Sequence, residues 1–208
     1  MPAMETGMVT PLQSSTFNNM QLDAGAFFVD LDLSSVATAT ALRTAIATAI
    51  TSASTCLGAT RGGGTFVVEN EEREREVDGR RYRFVGSTAR DSVDARLTTT
   101  LVEVIPENIK RILSSADLDT TVATKKILTQ RTRIASGDYI SKLTWVGDLA
   151  DGRLVAIELL NALNTAGMNW TFTDKGEGEL PVEFHAHQSS VENYNTAPFK
   201  VYFFGDAS

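Results

Sequence analysis

Glu183, His185 and His187 alternate along the chain, so on a strand their side chains share one face. Two imidazoles and a carboxylate are competent zinc or iron ligands, and the chemistry they would offer is that of a small metal-dependent enzyme on a β-sandwich. The competing reading is the polar side of a half-buried strand, with Val182, Phe184 and Ala186 turned inward. The sequence has two histidines, so a catalytic base must be one of them or a carboxylate. Cys56, the single cysteine, has no base or cation among Ser54, Thr55 and Leu57 and reads as a small buried hydrophobe rather than a nucleophile. Arg61-Gly62-Gly63-Gly64 has the glycine content of a phosphate cradle, but it precedes a strand and not a helix, which favours a turn. No catalytic constellation emerges, and no catalytic, cofactor or metal residue is assigned.

The elements that must position these residues are mostly strands. Ala26–Leu31, Arg96–Val104, Gln130–Ile134, Tyr139–Val146, Leu154–Leu160, Asn169–Thr173, Leu180–His187 and Pro198–Phe204 are apolar or alternating runs, most of the later ones separated by Gly and Asp turn signals. After Ser34-Ser35, a candidate N-cap, Leu42, Ala45, Ile46, Ala49 and Ile50 fall on one helical face. Pro106-Glu107 opens a short flanking helix over 106–116, on which Ile109, Ile112 and Leu113 align. Residues 117–129 read as a polar connection, and residues 1–22 as an N-terminal arm without sustained periodicity. Many short strands with few helices make a mainly β fold of sandwich or barrel type, in one domain over 1–208.

Residues 65–86 predict a long projecting β-hairpin. Asp78-Gly79 between β-capable runs is the signature of a two-residue type I′ turn. That turn sets Glu76 opposite Arg81 and Glu74 opposite Arg83, with Arg75 beside Tyr82 on the other face. Neither face near the tip is apolar enough to lie on a core. A two-sided polar ribbon is marginal alone in water, which leaves either a solvated face or an arm that binds a partner.

The 208 residues carry 19 Lys+Arg against 26 Asp+Glu, a net charge of −7. That argues against charge-driven nucleic-acid affinity, and one cysteine rules out an internal disulfide framework. No apolar run is long enough for a membrane helix, and the acidic start at Glu5 is unlike a secretory signal. From Gly137 onward, four Lys+Arg face ten acids, so most of the net charge belongs to the C-terminal strands.

Several motifs, in order, resemble the major tail tube proteins of long-tailed (siphovirus-like) bacteriophages. They are Leu57-Gly58-Ala59-Thr60-Arg61-Gly62-Gly63, the charged hairpin at Val77-Asp78-Gly79, and Leu97-Thr98-Thr99-Thr100-Leu101 followed by Pro106-Glu107-Asn108-Ile109. Trp145-Val146-Gly147-Asp148, the run Gly152–Leu163 and the run Thr171–His187 extend the match. The resemblance spans residues 23–205, leaving out the threonine-rich insertion Ala37–Thr55 and the tail after Phe204.

The resemblance implies a two-sheet sandwich with a flanking helix, assembled into six-fold rings that stack into a tube. It implies no enzymatic activity and no cofactor. The partners would be further copies of the chain, with tail terminator, tape measure and distal tail proteins, and the location the virion tail, assembled in the host cytoplasm. DNA would pass through the lumen without specific binding, and no membrane insertion is implied. Glu74, Glu76, Arg81 and Arg83 would serve assembly, and Asp148, Asp151, Glu158, Glu177, Glu179 and Glu183 are candidate acids of the channel wall. Two physical arguments run alongside. Contacts that do not close generate filaments, and an acidic wall avoids the counterion-release binding that would stall sliding DNA. A monomeric carbohydrate- or surface-binding sandwich is a third reading, with a thin aromatic platform at 8% Phe, Trp and Tyr.

Overall fold

Alternating apolar positions lay down a seven-stranded antiparallel sheet and a separate two-stranded one. The computed structural model describes residues 13, 15–52, 54–189 and 195–205. In chain order the elements are β1 (Gln21–Val29), α1 (Ala39–Ile50), β2 (Thr60–Glu74), β3 (Thr88–Leu101), α2 (Pro106–Ile112), β4 (Ala116–Val122), β5 (Lys125–Gln130), β6 (Ile140–Leu149), β7 (Leu154–Asn164), β8 (Leu180–His185) and β9 (Phe199–Phe204). Of the arm expected over 1–22, residues 1–12 and 14 lie outside the described residues. Its end forms the 3-10 turn Phe17–Asn19 and the start of β1.

The large sheet runs β1-β6-β7-β8-β3-β2, with β9 also on β7. β7 pairs with β6 along one edge and divides the other, giving Leu154–Leu159 to β9 and Leu163–Asn164 to β8. β1 reaches far along the chain for its neighbour, from Gln21 opposite Leu149 to Val29 opposite Leu143. Among the described residues the strand path ends at β1 and β2, so it does not close into a barrel.

Side-chain alternation sorts the core into two clusters. Phe27 and Val29 of β1, Leu143 and Trp145 of β6 and Leu159 of β7 meet Ala95, Leu97 and Leu101 of β3, Leu180, Val182 and Phe184 of β8, and Ile109 and Ile112 of α2. On the opposite face of β1, β6 and β7, Phe28, Val146, Leu154 and Ala156 join Phe204 of β9 and receive Ala39 and Leu42 of α1.

Two helices flank the strands: the one expected over 106–116, and α1, on which the helical face read from Leu42 to Ile50 lies. The apolar stripe of α1 holds as far as Ala49, while Ile50 is exposed. Its cap is Thr38, whose hydroxyl accepts from the Ala41 N–H at 3.2 Å, and not Ser34 or Ser35. α2 ends at Ile112, because Ser114 turns left-handed at φ 61° and the chain leaves as β4. The buried Asn108 amide donates to Leu57 O at 2.9 Å, and that of Asn164 donates to Ile112 O at 2.7 Å, tying α2 to its neighbours.

The polar connection expected at 117–129 is the hairpin β4–β5, in which Leu118 pairs with Leu128 and Asp119 with Ile127. Gln130–Ile134 is strand only at its first residue, and Asn169–Thr173 contributes only an isolated bridge from Thr171 to Glu179. No helix among the described residues is long and apolar enough to cross a membrane.

Candidate assembly surface

The projecting hairpin exists, with a register other than the one its turn residues suggest. A two-residue turn at Asp78-Gly79 would place Phe66 opposite Asp91; the observed partner is Leu97, six positions further along. The core decides this. In the observed register Phe66 faces Leu97 and Val68 faces Ala95, so apolar side chains meet where the ribbon joins the core. The strands stop at Glu74 and Thr88, and residues 75–87 form a broad tip.

Two turns shape that tip. Arg80 N–H bonds Val77 O at 3.3 Å around Gly79, and Ser87 N–H bonds Phe84 O at 3.1 Å before Arg75 N–H meets Ser87 O at 2.8 Å. Gly79 and Gly86 both lie at positive φ, a conformation that glycine supplies without a Cβ clash. Between these turns, Glu76 and Arg81 form no ion pair among the described residues, so that pairing is corrected. Glu74 does meet Arg83, at 3.1 Å from the guanidinium Nε, and also Arg80, but through the folded tip and not as a strand neighbour.

Along the stem the charges are paired across the strands. Arg90 meets Glu72 at 3.0 Å, Arg73 meets Asp91 at 2.8 Å, and Arg96 bridges Glu69 and Asp94, the latter at 3.3 Å. The tip is different. Val77, Tyr82, Phe84 and Val85 are 70%, 78%, 64% and fully exposed, an apolar group set among arginines. Its signal in the sequence is four large apolar residues within nine positions otherwise rich in charge.

The six candidate wall acids are dispersed, and each is partnered within the chain. Asp148 pairs with Arg43 of α1 at 2.8 Å, and Asp151 accepts from Arg153 in the β6–β7 turn at 2.5 Å. The Arg153 N–H and guanidinium hold the Asp151 carboxyl below the usual carboxylate range. Glu177 and Glu179 both take Arg61, at 2.5 and 2.9 Å, and the Arg61 guanidinium lowers the Glu177 pKa. Arg61-Gly62-Gly63-Gly64 is thus a bulged start of β2 whose arginine is already engaged. Glu158 is buried at 2% exposure and accepts from the Tyr202 hydroxyl at 3.0 Å, so its expected place on an open wall is corrected. Burial, then the hydrogen bond to Glu158, pushes the Tyr202 pKa up to about 12.

The Glu183, His185, His187 face is only partly assembled. Leu180, Val182 and Phe184 point inward, as the alternation predicts, and Glu183 and His185 point out. His185 lies between two carboxylates, with Nδ1 2.8 Å from Asp94 Oδ1 and Nε2 2.8 Å from Glu183 Oε1. Burial pulls its pKa down, but the hydrogen bonds to Asp94 and Glu183 outweigh it and leave the pKa raised. Both ring nitrogens are therefore occupied within the chain. His187 turns to backbone oxygens instead, with Nδ1 3.0 Å from His185 O and its ring edge-on to Tyr139. Among the described residues no three His, Cys, Asp or Glu side chains are placed to share a metal ion. Cys56 is half-buried in a bridge to Phe28, with its Sγ accepting from Gly58 N–H.

The surface that stands out is thus the ribbon and its apolar, arginine-rich tip. The chain matches no protein-family model and no curated protein.

Proposed function

We propose that the chain is a structural subunit that self-assembles into stacked rings forming a phage tail tube, the channel for genome delivery. The observation that carries this reading is the β2–β3 ribbon. Along its outer stem Glu69–Arg73 are exposed, and its tip exposes Val77, Tyr82, Phe84 and Val85. A ribbon of this kind gains too little from exposed ion pairs, about 0–1 kcal/mol each, to favour standing free in water. A neighbouring subunit supplies the missing burial.

The open strand path adds support: among the described residues β2 has no further strand beside it, and β1 is covered by residues 55–57 only along Phe27–Val29, so both ends of the sheet leave backbone for a neighbour. A two-sheet sandwich arrangement belongs to this reading, with β1, β6 and β7 on one side of the shared core and β3 and β8 on the other. The partners are further copies of the chain and, by the family resemblance, tail terminator, tape measure and distal tail proteins. The subunit resides in the virion and acts without catalysis.

The role of the acids narrows. A wall built from Asp148, Asp151, Glu177, Glu179 and Glu183 is locally compensated by Arg43, Arg153, Arg61 and Arg96. It offers DNA a nearly neutral, mixed surface and not a bare anionic one. Negative-stain microscopy and sedimentation of concentrated protein, alongside virion-derived material, test the reading. Rings or tubes support it, and a chain that stays monomeric at every concentration and salt, and is missing from virion tubes, overturns it.

A further inference from the structure

The ribbon carries complementary chemistry at its two ends. At the far end, tip residues 75–87 hold four arginines against Glu76 and Asp78, a local charge of +2. Arg80 and Arg83 are spent on Glu74, while Arg75 and Arg81 form no ion pair among the described residues. Tyr82 and Phe84 stand exposed beside them.

At the base, the loop 165–179 between β7 and β8 is fixed to the ribbon by Arg61, which binds Glu177 and Glu179, and by the Leu101–Leu180 pair. That loop holds Asp174, Glu177 and Glu179 against Lys175, a local charge of −2. It also presents an aromatic pair: Trp170 and Phe172 lie with ring centroids 5.2 Å apart, and Phe172 is 79% exposed. Glu177 stays two-thirds exposed even while it accepts Arg61.

We propose that tip 75–87 of one copy seats on loop 165–179 of a second copy, so that subunits join head to tail along the ribbon. This rests on the assembly reading above and names the contact that extends it. The tip cannot reach its own loop. From Thr60 opposite Leu101 to Glu74 opposite Thr88 the ladder spans about 45 Å at roughly 3.3 Å per residue. Two different patches at opposite ends of the ribbon make a heterologous contact, which continues as an open filament wherever its rotation does not close a ring.

The chemistry fits on both counts. Arginine on the face of Trp170 or Phe172 gains a cation–π contact, and Arg75 and Arg81 find Asp174 and Glu177. Tyr82 and Phe84 meet aromatic rings instead of water. Val201 and Phe203 of β9 are exposed as well, but they flank Lys200, a cation like those of the tip.

The test uses full-length protein in four forms: wild type, a tip variant (Arg75→Glu with Arg81→Glu), a loop variant (Asp174→Arg with Glu177→Arg), and a chain carrying both pairs. Each is checked by circular dichroism and read by sedimentation velocity and negative-stain microscopy. The tip and loop variants should each raise the concentration needed for long assemblies at least about tenfold. The chain with both swaps should recover most of that loss, because opposite charges again face each other. An equimolar mixture of the two single-end variants should likewise assemble, with the two forms alternating, since the swapped tip meets the swapped loop and the native tip meets the native loop.

Wild type that assembles while both variants assemble equally well overturns the contact and leaves the tube reading standing. Failure of the double-swap chain to recover, with its fold intact, also overturns the contact. Wild type that never assembles, with a mixture that never pairs, overturns both.

Discussion

Below the usual imidazole pKa of about 6.5, His185 is a cation clamped between Asp94 on β3 and Glu183 on its own strand. Arg96 and Glu69 complete the group. Because the folded pKa is raised, the stabilisation is fully present below the unfolded value and is lost as pH rises through the folded one. His185→Gln should therefore cost about 1–2 kcal/mol near pH 5.5 and less near pH 9, read as the gap in Tm between variant and wild type. A gap independent of pH would show that the ring acts by packing alone. Gly25 is a second sensitive residue. It occupies the β1 bulge at φ +70°, and a Cβ there would come within 2.5 Å of Trp145 Nε1 and Val146 O. Gly25→Ala should cost about 1–3 kcal/mol in urea denaturation, through strain and displacement of the indole, which donates to Ala24 O.

Helix α1 offers the sharpest test at the level of elements, since it packs on the sheet chiefly through Ala39 and Leu42. Leu42→Ala should cost about 2–5 kcal/mol by leaving a cavity, and Thr38→Ala about 1 kcal/mol by removing the cap. A loss below about 1 kcal/mol at Leu42 would mean that α1 does not hold the sheet. Its apolar stripe was legible from spacing alone, as were β1, β6, β7, β8 and β9, because burial on one or both faces writes a period into the sequence. The hairpin register was not legible. Asp78-Gly79 is a local signal, whereas the pairing of Phe66 with Leu97 answers to a core assembled from five strands. β4–β5 was missed because it buries little, so its charges and threonines look like a loop. The site residues fared similarly. Charge spacing pointed to Glu74 and Arg83, but Glu158 was a candidate for an open wall because its half-buried partner Tyr202 is 44 positions away in sequence.

For the molecule as a whole, Arg81→Glu with Arg83→Glu should leave far-UV circular dichroism unchanged while blocking the growth of tubes. The tip then presents carboxylates to Glu74 and to the neighbour, and exposed pairs contribute too little for the fold to suffer. Tubes of normal length would reduce the ribbon to a solvated decoration. Time enters through β1. It pairs with β6, whose residues lie more than a hundred positions later in the chain. Closing so long a loop comes late and is slow, so refolding should run in milliseconds to seconds. Stopped-flow fluorescence of the buried Trp145 can follow it. Until that closure Phe27 and Val29 have no core to enter, and the β6 edge is open to any passing strand. Refolding at rising concentration should therefore pass a threshold above which yield falls, and Gly25→Ala, by slowing the docking of β1, should lower that threshold. The rate of one distant strand pairing thus bounds how fast subunits can be produced without going astray.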